Sequence, residues 1–439
     1  MNTQHKITSK KETASLSLLD VLSDKNILKT EILGGITGFF AISYILVVNP
    51  LILKDAGMSV NLTVFATILS SVIGCFIMGF YANSPVVITP GMGVNAFFTY
   101  TMVVNMGLTW QQALAVSLVS TFAFMIIAFS RFTDVLEKGI PSSLKSAITA
   151  GIGLFLVEIG LQKADLIQQG QSSLLTLGSF KNPSLLLALF GLILTLVLYI
   201  KKIKASFFIG IIVTSIVGII FHVHDSKVPT TSLMDISKYH HLLFRFDFGH
   251  IVSIPFVLAA FSMTMILVFE SMGLNAGILP DMAKFKKTFR SVSMSGVISS
   301  ILGTSPTVSA AESVAGFQLG ARTGVMSITA GILFLLSTFF IGFLKYVPQA
   351  AIAPVIIITG AIMFANIKDI DMNNFAEWFP AFLIVVLIPL TGSISVGLAF
   401  GFVAYPIVKI CNGEVKSISL INYVLSVLFL IDLILTAFI

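Results

Sequence analysis

Two glutamates stand alone in long uncharged segments of this chain. Glu270 is the only acidic or basic residue between positions 251 and 280, and Glu312 is the only one between 291 and 321. A carboxylate near the middle of a bilayer is costly, so its presence indicates solute binding, proton transfer or both. The chemistry to be explained is that of two carboxyl groups surrounded by apolar and small residues.

Each glutamate also has a structural alternative. Ser309 and Glu312 have the spacing of a capping box, in which the serine caps a helix and the glutamate reaches back to it. Glu270 could be an acid that hydrogen-bonds to a neighbouring helix. Gly273 and Gly277 follow Glu270 on its own helix face, where small residues allow close helix packing or close approach of a solute.

A second polar group lies near position 95. Asn95 follows Gly91-Met92-Gly93-Val94, and its amide could either hold a solute or pack against Glu312. Phe97 and Phe98 are adjacent, so at most one of them faces a common cavity on a helix. Many of the chain's 38 phenylalanines must contact lipid or core, which is the alternative for Phe97 too.

The composition predicts a polytopic helical membrane protein. Of 439 residues, 56% are hydrophobic and 10% are charged, and positions 56–130 contain no Asp, Glu, Lys or Arg. Apolar runs of this length predict spanning helices, and they lack the alternation of barrel strands. The predicted spans are 31–53, 61–81, 86–105, 111–130, 143–162, 183–200, 205–222, 252–279, 288–303, 306–320, 325–344, 348–366, 376–391 and 393–410.

Two of these spans are predicted to be interrupted. The third opens with SPVVITPGMG (84–93) and the tenth with GTSPTVSAAE (303–312). Pro90 and Pro306 cannot lie inside a regular helix without removing a hydrogen bond. Extended backbone at membrane depth is tolerated where it lines a protein cavity, and paired broken spans indicate a transport site.

The chain is predicted to contain an inverted repeat. The segments at 140–156 and 347–364 both have a proline at their second position, Pro141 and Pro348, and contain a glycine in the middle of an apolar helix. They lie seven spans apart, and an odd number of spans inverts the second copy. The predicted parts are a polar tail (1–29), a first repeat (30–222), a loop (223–250), a second repeat (251–410) and an apolar C-terminal segment (411–439).

The distribution of basic residues predicts the orientation. With a cytoplasmic N-terminus, most Lys and Arg residues fall on the cytoplasmic side, as the positive-inside rule requires. The outer loop at 223–250 then contains or adjoins five histidines, which we interpret as solvated rather than metal-binding. Whether the run at 417–438 spans the membrane or lies along its surface stays open.

The motifs resemble the nucleobase cation symporter family 2, in particular its AzgA-like branch of hypoxanthine, guanine and adenine permeases. The strings that resemble it include GMGVNAFFTYTMV (91–103) and TSPTVSAAESVAGFQLGARTG (304–324). The resemblance implies a fold of seven plus seven inverted spans with a core domain (spans 1–4 and 8–11) and a gate domain (spans 5–7 and 12–14). It also implies proton-coupled nucleobase uptake, with Glu270, Glu312 and Asn95 at the binding site.

The eighth and tenth spans depart from that branch. Glu270 stands where purine permeases of this type usually have an aspartate, and a glutamate there is more typical of uracil and xanthine permeases. Pro306-Thr307-Val308-Ser309 replaces the usual Thr-Thr-Ser-Tyr. A xanthine or uracil permease of the same superfamily is therefore the alternative.

A nucleobase is flat, uncharged and edged with donors and acceptors. Glu312 would accept N–H bonds in the plane of the base, and the backbone near Val94 and Ser309 would donate to ring carbonyls or nitrogens. Phe97 could stack on the base, and Glu270 or Glu312 would carry the coupling proton, with no other cofactor. The predicted binding residues are Glu270, Glu312, Asn95, Phe97, Val94 and Ser309.

Other functional classes fit the sequence less well. Inorganic anion carriers share this architecture, but they favour basic residues at the half-helix ends and usually have a soluble C-terminal domain. The spans contain no motif of an intramembrane enzyme, and nothing indicates the symmetric assembly of a channel. The partners expected are a purine base and the lipid of the cell membrane rather than a nucleic acid, and a homodimer is compatible with the sequence.

Overall fold

The protein is a bundle of apolar helices. Within the part of the chain that the computed structural model describes, nine helical segments of 18 residues or more are apolar enough to cross a membrane. The predicted helical membrane protein is therefore confirmed. The polar tail up to position 17 and His224 lie outside the described residues. The structure describes residues 18–170, 175–203, 205–223 and 233–437.

Among its described residues, the first half of the chain contains ten α-helices and three short strands. The helices are α1 (Leu18–Ser23), α2 (Lys25–Ile42), α3 (Ile45–Asp55), α4 (Val60–Ile77), α5 (Met92–Ala96), α6 (Trp110–Phe129), α7 (Phe132–Gly139), α8 (Ser142–Lys163), α9 (Pro183–Ile200) and α10 (Ser206–Ile220). The strands are β1 (Ile88–Pro90), β2 (Ile167–Gln169) and β3 (Leu175–Leu177). The wider π-helical turns Met78–Ala82 and Phe97–Asn105 continue α4 and α5. The predicted first span therefore consists of α2 and α3, joined by a turn at Ser43 and Tyr44.

The second half, as far as the structure describes it, contains eight α-helices and one strand. The helices are α11 (Ile254–Ile278), α12 (Phe285–Ile301), α13 (Val314–Phe317), α14 (Gly324–Ser337), α15 (Gln349–Phe364), α16 (Phe375–Thr391), α17 (Ile394–Cys411) and α18 (Leu420–Ala437), and the strand is β4 (Thr307–Ser309). Turns of 3₁₀ helix precede or extend several of them, including Ala311–Ser313 before α13. The C-terminal apolar run is thus a helix, and it packs against α17.

The long helices pack into two bundles. In the first, α14 packs on α2 and α4, while α12 packs on α4 and α6. In the second, α15 packs on α8 and α9, while α16 packs on α8 and α17. We call α2–α6 with α11–α14 the core bundle, and α8–α10 with α15–α17 the gate bundle. This is the division that the resemblance implied, although the exact repeat boundaries at 30–222 and 251–410 stay predictions.

The inverted relation is seen where α8 crosses α15. Gly153 and Gly360 occupy equivalent positions, each twelve residues after the proline at the second position of its segment. A Cβ atom on Gly153 would lie 2.5 Å from the carbonyl oxygen of Gly360, and a Cβ on Gly360 would lie 2.5 Å from that of Gly153. Equivalent residues meeting reciprocally are what a pseudo-two-fold axis in the membrane plane produces.

Gly153→Ala is expected to destabilise the gate bundle. The added methyl group would force the backbones of α8 and α15 apart, and overpacking of this kind costs about 1–3 kcal/mol. The apparent melting temperature of the purified protein in detergent should fall. Gly277→Ala is the matched control, because a Cβ there meets nothing within 4 Å and alanine favours a helix. Equal melting temperatures of the Gly153→Ala variant and the native chain would contradict this close contact between α8 and α15.

Candidate functional site

Two extended segments meet in the core bundle. Strands β1 and β4 pair antiparallel and are fully buried, with Ile88 opposite Ser309 and Pro90 opposite Thr307. Hydrogen bonds from Gly91 to Pro306 and from Ala310 to Val87 continue the pairing at both ends. These bonds satisfy the backbone away from water, as a broken span requires. The predicted extended segments are confirmed, and each leads directly into a short helix.

Glu312 lies in the 3₁₀ turn that follows β4, and its side chain is partly exposed. The Tyr44 hydroxyl donates a hydrogen bond to Glu312 Oε1 at 2.6 Å. The capping-box alternative is wrong, because no side chain caps this turn. Ser309 belongs to β4 instead, and its hydroxyl donates to Asn275 Oδ1 at 2.6 Å. Glu312 therefore does not form a capping box with Ser309, and its Oε1 atom accepts the bond from Tyr44 instead.

Glu270 lies on α11 and is 3% exposed. Its Oε2 atom has no hydrogen-bond partner among the described residues. A Cβ on Gly93 would lie 3.2 Å from that oxygen, so the first turn of α5 passes close to the carboxylate. Added Cβ atoms at Gly273 and Gly277 would meet nothing within 4 Å, so these glycines do not form a close helix contact. The geometry therefore does not support the alternative in which Glu270 is a structural acid that hydrogen-bonds through this oxygen to a neighbouring helix.

One cavity of about 630 Å³ contains both glutamates. This volume is within the range of about 300–1,000 Å³ that is typical of ligand sites. Core-bundle residues form one wall, and gate-bundle residues such as Phe207 and Thr359 form the other. The polar side chains in its lining include Tyr44, Thr89, Glu270, Ser309, Glu312 and Thr359.

The predicted residues of the third span lie behind this cavity wall. Val94, Asn95 and Phe97 are fully buried and are not part of the cavity lining. Within the described chain, neither amide atom of Asn95 has a hydrogen-bond partner, so Asn95 does not pack against Glu312 through its amide. Val94 lies in the first turn of α5, where backbone N–H groups have no partner within the helix. Roles for these three residues in binding stay predictions.

Sequence reasoning missed the aromatic side of the cavity. The Tyr44 ring meets the Phe207 ring edge-on, with centroids 5.2 Å apart, and Phe207 stacks on Tyr199 at 5.7 Å. All three residues line the cavity, whereas Phe97 does not. A tyrosine in an apolar span is unremarkable in a sequence, and the sequence predicted 31–53 as one uninterrupted span, so the turn at Ser43 and Tyr44 is visible in the structure alone.

Comparison with known proteins identifies the family. A model described as a permease family, for xanthine and uracil permeases, matches residues 29–400. The chain belongs to this permease family. It is therefore a multi-span transport protein and not an enzyme.

Relatives of this permease are named as nucleobase, guanine/hypoxanthine and adenine permeases, which confirms the resemblance found in the motifs. It is 42% identical over 381 residues to the nucleobase transporter PlAzg2 of Paenibacillus larvae, covering 86% of this chain and 76% of that protein. It is 37% identical to the guanine/hypoxanthine permease PbuG of Bacillus subtilis, covering 92% and 96% of the two chains. It is 32% identical to the adenine permease AdeQ of Escherichia coli, covering 93% of each.

Solved structures show the same fold at low sequence identity. The transmembrane domain of a cyanobacterial bicarbonate transporter, BicA, superposes with a TM-score of 0.61 at 15% identity, covering 86% of the permease and 98% of that domain. The transporter SLC26A9 superposes with a TM-score of 0.57 at 14% identity, covering 94% and 70% of the two chains. The predicted transporter fold with core and gate bundles is thereby confirmed.

Proposed function

We propose that the protein is a secondary active transporter that imports purine bases of the hypoxanthine, guanine and adenine type by proton symport. The observation that carries the proposal is the shared cavity, in which Glu270 and Glu312 from two different spans face one space beside the paired strands. The names of the relatives at 32–42% identity support a nucleobase as the solute.

The cavity suits a flat, neutral heterocycle. Glu312 supplies a charged acceptor for an N–H group of the base, and charge-assisted hydrogen bonds are the strong ones. Ser309 and Thr89 add hydroxyl groups on the same wall. The rings of Tyr44 and Phe207 give the base an aromatic contact, a role that the sequence assigned to Phe97. These groups would hold the base by its edge and one face.

Glu270 is the residue to which we assign proton coupling. An ionised carboxylate with an unpartnered oxygen is costly away from water, and a proton on Glu270 would remove that cost. A protonated Glu270 together with a base bound at Glu312 would then favour closure of the cavity between the two bundles. Rocking of the gate bundle against the core bundle around this fixed site would expose it to the two sides in turn.

An ion pair closes one end of the boundary between the bundles. Lys163 at the end of α8 contacts Asp55 Oδ2 at the end of α3 at 2.6 Å, and the Tyr100 hydroxyl donates to the same oxygen at 2.8 Å. The residues that line the cavity include Lys202 and Gln318 but neither member of this ion pair. With a cytoplasmic N-terminus, this arrangement opens to the cytoplasm and is closed on the outer side.

Lys163→Ala should loosen the outer closure. A partly buried pair of this kind contributes about 1 kcal/mol, so the outward-open population should rise several-fold. A cysteine introduced as Ala315→Cys in a chain lacking Cys75 and Cys411 would report this as faster labelling by an impermeant thiol reagent added outside. Lys286→Ala is the control, because its ion pair with Asp134 does not join the two bundles. Unchanged labelling after loss of Lys163 would argue against this closure.

An uptake panel tests the proposed function. Cells that lack their own permeases would express the protein and receive labelled hypoxanthine, guanine, adenine, xanthine, uracil or bicarbonate. We expect uptake of the first three, and a protonophore should abolish their accumulation. Uptake of xanthine or uracil alone would favour the other branch of the family. Uptake of bicarbonate alone would show that the likeness to anion carriers extends beyond the fold.

A further inference from the structure

Tyr44 connects the first span to the cavity. It lies in the turn between α2 and α3, is 1% exposed, and its backbone carbonyl accepts bonds from Val47 and Val48 at 3.0 Å. Those bonds fix the backbone that carries the ring. The hydroxyl then donates to Glu312 Oε1 at 2.6 Å, so a residue of one span holds the carboxylate of another.

This hydrogen bond makes the two carboxylate oxygens of Glu312 inequivalent. An ionised carboxylate can accept two N–H donors side by side, one on each oxygen. The Tyr44 hydroxyl takes one of the lone-pair positions of Oε1 and makes that oxygen a weaker acceptor, so a base is held mainly through the second oxygen. The T-shaped contact with Phe207 of the gate bundle restricts rotation of the Tyr44 ring away from Glu312.

We propose that Tyr44 is a positioning residue that determines which purines the site prefers; the inference rests on the proposed function. Because Oε1 already accepts the Tyr44 hydroxyl, Glu312 holds the base mainly through one strong N–H bond to its other oxygen. Hypoxanthine offers one donor on its pyrimidine edge, at N1. Guanine offers two neighbouring donors, at N1 and on the 2-amino group. Its second donor adds little binding free energy at this site. Tyr44 therefore makes the site treat the two bases alike.

Tyr44→Phe tests this inference. The variant keeps the ring against Phe207 and removes only the hydroxyl, so both oxygens of Glu312 become available to a base. An added hydrogen bond to a charged acceptor corresponds to about a tenfold gain in affinity. The ratio of the KM for hypoxanthine to the KM for guanine should therefore rise about tenfold relative to the native chain.

Tyr199→Phe is the matched control. Tyr199 lines the same cavity and stacks on Phe207, but the hydrogen bond to Glu312 comes from Tyr44. Its variant should leave the KM ratio unchanged. An unchanged KM ratio in Tyr44→Phe, or an equal loss of affinity for both bases, would overturn the inference. Purine transport by the native chain would still support the proposed function in that case. A native chain that transports neither base would contradict the proposed function, and the inference with it.

Discussion

Glu312→Gln is expected to reduce hypoxanthine uptake about a hundredfold. The substitution replaces a charged acceptor with an amide whose NH₂ group faces the donors of the base. Loss of a hydrogen bond to a charged group removes about 1.5–3 kcal/mol, and the unpaired donors add to that cost. At about 1.4 kcal/mol per factor of ten, a hundredfold loss follows. Initial rates of labelled uptake, normalised to the amount of protein in the membrane, measure it.

Glu158→Gln provides the matched control for that experiment. Glu158 is also an acid on a membrane helix, in α8, but it lines a different groove. Its variant should take up hypoxanthine at close to the native rate. If Glu312→Gln also retained the native rate, Glu312 would have no part in binding.

Glu270→Gln is expected to abolish accumulation against a gradient while leaving exchange of base for base. Glutamine can still hydrogen-bond, but it cannot load and release a proton, so the coupling is lost. In proteoliposomes with an acidic exterior, the native protein should concentrate hypoxanthine inside and the variant should only equilibrate it. Counterflow of labelled against unlabelled base measures the exchange that remains.

Two results would contradict this assignment. Continued proton-driven accumulation by Glu270→Gln would show that the proton is carried elsewhere, with Glu312 as the next group to examine. Accumulation by the native protein in a sodium gradient alone would show that protons are not the coupling ion. A Glu158→Gln protein reconstituted in parallel controls for damage caused by loss of an acid from a membrane helix.

The features that the sequence predicted well are those with strong physical constraints. A charge in an apolar span is costly, so Glu270 and Glu312 could be selected without a structure. Proline excludes a regular helix, so Pro90 and Pro306 predicted the two extended segments that pair as β1 and β4. The glycines at 153 and 360 allowed the repeat to be recognised, and they contact each other in the fold.

The features that the sequence missed depend on long-range packing. Ser309 has the spacing of a cap, but its pairing in β4 and its bond to Asn275 override that local preference. Tyr44 lies 268 positions from Glu312 in the sequence, and only the fold brings the two together. Nothing in the order of residues shows that Phe207, rather than Phe97, reaches the cavity.

The fold alone does not decide the solute. A bicarbonate transporter has the same architecture at 15% identity, so two bundles and two half-helices serve solutes of different chemistry. The distinction lies in the groups that line the cavity. Two carboxylates favour a neutral ligand with N–H donors, since an anion would be repelled unless both acids were protonated.

Binding of labelled hypoxanthine to the purified protein tests the central claim most directly. We expect saturable binding by the native chain at one site, strong competition by unlabelled guanine, loss of binding in Glu312→Gln, and binding by Glu270→Gln that no longer weakens as the pH rises. Glu158→Gln should bind as the native protein does. Native-like binding by Glu312→Gln would contradict the claim that this carboxylate holds the base, and a native-like pH dependence of binding in Glu270→Gln would show that Glu270 does not couple a proton to the site.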